Sequence, residues 1–403
     1  MEFMISMYKL LSSIGLLGLL TACGGGSDDS DVSSVTSVSG SFKQSAETGV
    51  YYSPDINGIY DYDNLGYYAS TCRENRDSYY ETDNVYVFGN PELSESDYET
   101  AANWVESYFQ NALNLMGLTA EEYFAERTIA RQYARELLLA SLESLRNTPW
   151  LTFGDYVLPD EIQAISDSSD FNEAVYEWAV TQATNADAQD VIDTLIANDP
   201  TFDVYSSLEL DNKLYVCLHE NTNSYYWGEG TYAGIVIAAP SVYTPSSIDE
   251  LITHELIHTI QKVFSQDATT SLRLPRWWLE GQATYVSGMG AVSKSEHDEY
   301  DPTLVVSNSD EVYSDDAYGH YALAYQYLEE ANSRETLVSF MSQLKSLVSN
   351  AYSEEYNNDL SISVEDYQFI NLFNDTMVDM EGNALTVEQW RNDYHSYMND
   401  WNN

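Results

Sequence analysis

The sequence predicts an α+β protein in which a small sheet and a central helix lead into a mainly helical C-terminal part. A mixed, partly helical N-terminal region precedes them. Three observations carry this reading. The runs Asn84-Val85-Tyr86-Val87-Phe88, Lys213-Leu214-Tyr215-Val216-Cys217-Leu218 and Ala233-Gly234-Ile235-Val236-Ile237-Ala238 have the length and β-branched, aromatic content of strands. Apolar residues recur at helical spacing from about 96 to 200 and again beyond 247, with a polar break near 293–316. The 403 residues are 44% hydrophobic and include 34 Tyr, enough interior for two or three packed subdomains. No repeat of 20–50 residues interrupts the pattern.

Charge narrows the range of partners. Sixteen basic residues against 65 acidic ones give a formal net charge of −49. High charge by itself points to disorder, but the aromatic content points to a folded chain. Nucleic acid is excluded as a partner, because affinity for phosphate backbones comes largely from Lys and Arg. The same field attracts cations.

Residues 1–22 read as a secretory signal: Lys9, an apolar stretch from Leu10 to Leu20, then Thr21-Ala22. The apolar stretch is too short for a membrane span of about 20 residues. Leu20-Thr21-Ala22-Cys23 resembles the lipobox of bacterial lipoproteins, which implies cleavage after 22 and lipid attachment at Cys23. The resemblance further implies a bacterial envelope location, and the lack of Asp after Cys23 favours the outer membrane. Residues 23–48 begin Gly24-Gly25-Gly26-Ser27-Asp28-Asp29, the composition of a flexible tether. With Cys23 lipidated, Cys72 and Cys217 remain, and in an exported chain two leftover thiols read as a disulfide rather than a metal site.

Residues 49–200 form an N-terminal region of strands and helices whose role the sequence does not disclose. Its Asp55, Asn57, Asp61 and Asp63 lack the order of a calcium loop and read as turn chemistry. Arg127, Arg131 and Arg135, four apart, make a basic stripe on one helix face, read as a seam against acidic neighbours rather than a docking site.

Residues 201–403 carry the chemistry. Ser247 and Glu250 have the spacing of a capping box, and the helix they open contains His254-Glu255-Leu256-Ile257-His258. Residues four apart share a helix face, so His254 and His258 can take two corners of a tetrahedral Zn²⁺ site. Glu255, one position round, can accept a proton from water beside the ion. Gln261 and Phe264 stand where a metzincin would have Gly and a third ligand. A following helix, bounded by Pro275 and Gly288, presents Trp277-Trp278-Leu279-Glu280-Gly281-Gln282-Ala283.

In these two helices the chain resembles the gluzincin metallopeptidases, and the resemblance implies that Glu280 is the third zinc ligand. It also implies a zincin-like fold and a peptide or protein substrate. Tyr318-Gly319-His320-Tyr321 and the residues to Glu329 resemble the helix of aminopeptidase-N-like gluzincins that supplies an oxyanion donor. Tyr318 is that donor on this alignment, with His320 its rival. No counterpart of the aminopeptidase amine-binding motif lies around Ala233–Pro240, which favours an endopeptidase. Strand 233–238 takes the place of the family's substrate-pairing edge strand. Thr284 stands where thermolysin-like enzymes carry an Asp that orients a zinc-bound His, so that support must come from elsewhere. Arg273 and Arg276 read as partners of neighbouring carboxylates. The rival expectation is a tethered binding lipoprotein with an inactive zincin fold.

Overall fold

The computed structural model describes residues 39–48, 50, 52, 71–72, 75, 77–129, 212–220, 227–265, 274–305, 315–346 and 367–402. The signal, Cys23, the Asp55–Asp63 segment, Arg131, Arg135 and Arg273 lie outside them. Among the described residues, no helix is long and apolar enough to cross a membrane.

The architecture is mixed α+β. One six-stranded sheet runs in the order β1-β2-β3-β4-β6-β5, with β1 Ser41–Gln44, β2 Ser78–Glu81, β3 Val85–Gly89, β4 Leu214–His219, β5 Gly228–Gly230 and β6 Gly234–Ala238. Strands β3, β4 and β6 are mutually parallel, while β1, β2 and β5 pair antiparallel at the two margins. The three central strands are buried end to end, as their continuous apolar sequences require of a sheet covered on both faces. Alternation still sorts their side chains. Val85, Val87, Leu214, Val216, Leu218, Ile235 and Ile237 enter the main core. Tyr86, Phe88, Tyr215, Cys217 and Val236 turn to a smaller aromatic cluster on the opposite face. There Cys72 and Cys217 are joined in a disulfide with Cα atoms 5.9 Å apart.

The sheet takes strands from both sides of residue 200, since β3 pairs with β4. A parallel pair needs a crossover, and helix α1, Glu95–Met116, packs on both strands. Ser94 and Asp97 form a reciprocal capping box at its start, and Gly117, at φ 72°, ends it in the left-handed conformation that glycine adopts without steric cost. Helix α2, residues 120–129, follows. Its Arg127 is buried, and the guanidinium donates to the carbonyls of Lys213 and Ala233, so this one residue of the stripe clamps the starts of β4 and β6.

The longer helices that follow are α3 Ile248–Ser265, α4 Arg276–Ser287, α5 Asp315–Asn332, α6 Arg334–Ser346, α7 Tyr367–Thr376 and α8 Val387–Asn402. Helix α3 is the hub, packing on α1, α4, α6, β5 and β6. Helix α5 runs along α4, and Gly281 permits the approach: a Cβ there would stand 2.3 Å from the Tyr321 carbonyl oxygen.

Two expectations are corrected. Residues 41–48 are not tether, because Ser41–Gln44 pair with β2 as β1 and Ser45 is buried. The strand at 233–238 is an inner strand, because β5 pairs with it and takes the margin. Three residues, Gly228-Glu229-Gly230, are too few to show a hydrophobic alternation, so nothing in the local pattern announces that strand.

Candidate metal centre

Helices α3 and α4 bring three predicted ligands together. His254 and His258 lie one turn apart on α3, with their Nε2 atoms 3.1 Å from each other. Glu280, in the second turn of α4, places Oε2 at 3.5 Å from the first and 3.3 Å from the second. His254 and Glu280 are buried and His258 is half-buried. Three donor atoms so close in an apolar core form a group that can hold a metal ion.

Local sequence explains the convergence. Pro275 opens α4 with extended backbone and Gly288 closes it at φ 91°, which fixes where Glu280 sits along the helix. Trp277 and Trp278 anchor the same helix in the core, Trp278 stacking on Phe340 and Trp277 lying against Trp390.

The orientation of His258 follows from hydrogen-bond bookkeeping. The Gln261 amide nitrogen donates to the Leu279 carbonyl, an acceptor only, and to Gln282 Oε1. Gln261 Oε1 is therefore the atom 2.7 Å from His258 Nδ1, and it accepts the imidazole N–H. In the neutral ring that leaves the Nε2 lone pair turned to His254 and Glu280, the form a ligand needs. Gln282 continues the chain by donating to the Tyr325 hydroxyl. The support missing at Thr284 thus comes from Gln261, one helical turn beyond His258. We expect Gln261→Leu to weaken metal affinity by roughly 10–100-fold. Competition with a chromophoric chelator measures this, and unchanged affinity would refute the positioning role.

Electrostatics favour a positive charge among these donors. Burial alone would lower the pKa of His258, but the Glu280 carboxylate overrides it and the imidazole is pushed up to about 9. Burial alone would raise Glu280, yet His258, His254 and Arg276 hold its carboxyl well below the usual range. Glu280 Oε2 is buried with no hydrogen-bond donor, and neither has His254 Nδ1 a hydrogen-bond partner among the described residues.

Glu255 stands beside the ligands, with Oε2 accepting the backbone N–H of Gly230 at 2.9 Å. Gly230 allows the contact, since a Cβ there would lie 2.3 Å from the Glu255 carbonyl oxygen and 2.6 Å from His258 Cβ. Marginal strand β5 therefore lies directly against the motif helix. Sequence reading missed Gly230, and its only signal was a glycine on either side of Glu229.

The two candidates on α5 separate. Tyr318 is buried and its hydroxyl accepts from Arg276 at 3.1 Å, while the same guanidinium nitrogen lies 3.8 Å from Glu280 Oε1. His320, two positions on and so about 200° round the helix, packs its ring against Tyr300. The described contacts thus link Tyr318, through Arg276, to the three-donor cluster. Arg276 pairs with a neighbouring carboxylate, as expected of it.

No protein-family model, curated protein or solved structure matches the chain.

Proposed function

We propose that this chain is a zinc metallopeptidase of the gluzincin kind, anchored to the bacterial cell envelope through lipid at Cys23 and favouring internal peptide bonds. One observation carries the reading. The three donor atoms form a triangle with sides of 3.1, 3.3 and 3.5 Å. A tetrahedral ion bound at about 2.0 Å spaces its ligands by about 3.3 Å, so the triangle fits one face of such a coordination shell. Two imidazoles and a carboxylate suit zinc better than calcium or magnesium, which prefer all-oxygen shells. Three protein ligands leave a fourth position open, as in catalytic rather than structural zinc sites.

His254, His258 and Glu280 would hold the ion, which when bound acidifies a water from a pKa of 15.7 toward about 7 and polarises a carbonyl. The chain's own groups do the rest. Glu255, oriented by the Gly230 N–H, takes up the proton and delivers it to the leaving amine. Tyr318, which accepts from Arg276, keeps its own O–H as the donor for negative charge developing on the scissile carbonyl oxygen. An extended peptide would pair with β5, the marginal strand nearest Glu255.

The test is cleavage of a broad peptide pool by the purified protein with and without a chelator. Cleavage that chelation abolishes and added zinc restores supports the reading. Bound zinc without any cleavage would favour a binding lipoprotein that retains the fold but not the activity.

A further inference from the structure

A second group of nitrogen and oxygen donors lies outside this centre, where the segment after α4 meets the C-terminal helix. Residues Lys294–Glu299 form a short 3₁₀ helix that packs on α8. His297, on the former, is buried. His395, on α8, is partly exposed, and Asp298 points largely into solvent. Their closest atoms form another small triangle. His297 Nδ1 is 3.3 Å from His395 Nδ1 and 3.2 Å from Asp298 Oδ1, and the third side, His395 Nδ1 to Asp298 Oδ1, is 3.6 Å.

The hydrogen bonds around the pair decide which ring atoms carry hydrogen. Asn399 donates its side-chain nitrogen to the His395 carbonyl, so its oxygen is the atom 3.2 Å from His297 Nε2 and accepts a hydrogen there. That leaves the His297 Nδ1 lone pair facing the triangle. On the other ring, Nδ1 of His395 faces Asp298 Oδ1 at 3.6 Å and Nε2 faces the Asp301 carboxylate at 3.9 Å, so a carboxylate lies toward each nitrogen. Two ring nitrogens and a carboxylate oxygen thus converge, with the His297 lone pair turned inward. An outer partner that fixes the non-ligating nitrogen, as Asn399 does for His297, is how proteins set a histidine to bind metal.

We propose that His297 Nδ1, His395 Nδ1 and Asp298 Oδ1 form a second metal site, specific for a divalent transition ion of the zinc class, that fastens α8 to the 3₁₀ segment. The sides of the triangle are those of a tetrahedral shell with bonds of about 2.0 Å. Two imidazoles and one carboxylate discriminate against calcium and magnesium. The exposure of Asp298 and His395 leaves water to complete the shell and gives the ion a route in. The site is independent of the peptidase reading, because neither its ligands nor their supports touch His254, His258 or Glu280.

The experiment counts zinc bound per chain at saturation, with Zn²⁺ as the only probe, for the unaltered protein and for His395→Asn and Asp298→Asn. Each substitution is expected to remove one equivalent. If both centres bind, the count falls from two to one, and if the first centre binds nothing it falls from one to zero. The second proposal therefore stands or falls on the difference and not on the total. Thermal melting in metal-free buffer confirms that both variants fold. Saturating zinc should then raise the melting temperature of the unaltered protein by more than that of either variant. If both variants bind as much zinc as the unaltered chain, the histidines and Asp298 are joined only by a shared proton and the proposal is overturned.

Discussion

Glu255→Gln is expected to lower peptide turnover by roughly 10²–10⁴-fold, the usual contribution of a positioned general base, while bound zinc stays at the unaltered level. The separation of the two readouts follows from geometry. Glu255 is not among the three converging donor atoms, so its replacement leaves the ligand triangle intact. A Gln carbonyl oxygen can still accept the Gly230 N–H, so the contact between β5 and α3 survives. What disappears is the ability to take up a proton. Glu255→Asp retains a carboxylate but withdraws it by one methylene from a group held at hydrogen-bond distance, and its turnover should fall between the two. Near-normal cleavage by the Gln variant would remove Glu255 from the chemistry, and loss of zinc together with activity would make it a structural residue of the centre.

The parts of the candidate site legible in the sequence are those fixed by a single helix. His254, Glu255 and His258 have one mutual geometry on any α-helix, and Pro275 and Gly288 mark the ends of the helix that carries Glu280. Contacts between elements were not legible. Nothing local tells that Gln261 on α3 bonds Gln282 on α4, or that Gly230 brings a marginal strand onto the motif. His297 and His395 are 98 positions apart and meet only because α8 returns to the 3₁₀ segment. The same holds for the sheet. The three apolar runs announced buried strands, but strand order depends on partners far along the chain. The three-residue β5 has no period of its own, so the sequence pattern places the margin at its neighbour β6.

Reduction of the Cys72–Cys217 bond is expected to cost about 5 kcal/mol of stability, on the chain-entropy relation for the loop it closes. The sequence separation is 145 residues, so the unfolded chain is strongly restricted by the link. Net stabilities of domains are about 5–15 kcal/mol, which makes this one bond comparable with the whole margin at the lower end. Its position enlarges the consequence. Cys217 lies in β4, the strand between β3 and β6, and β6 in turn carries β5 against Glu255. Loosening β4 therefore loosens the support of the marginal strand before it touches the three ligands, which sit on α3 and α4. Denaturant unfolding with and without a phosphine reductant should show a large fall in midpoint, and zinc content measured below the transition should not change. An unchanged midpoint would mean that packing of Tyr79, Tyr86, Phe88 and Tyr215 holds that face of the sheet without the covalent link. A fall in zinc content before unfolding would mean that the sheet and the two ligand helices are coupled more tightly than their separate contacts require.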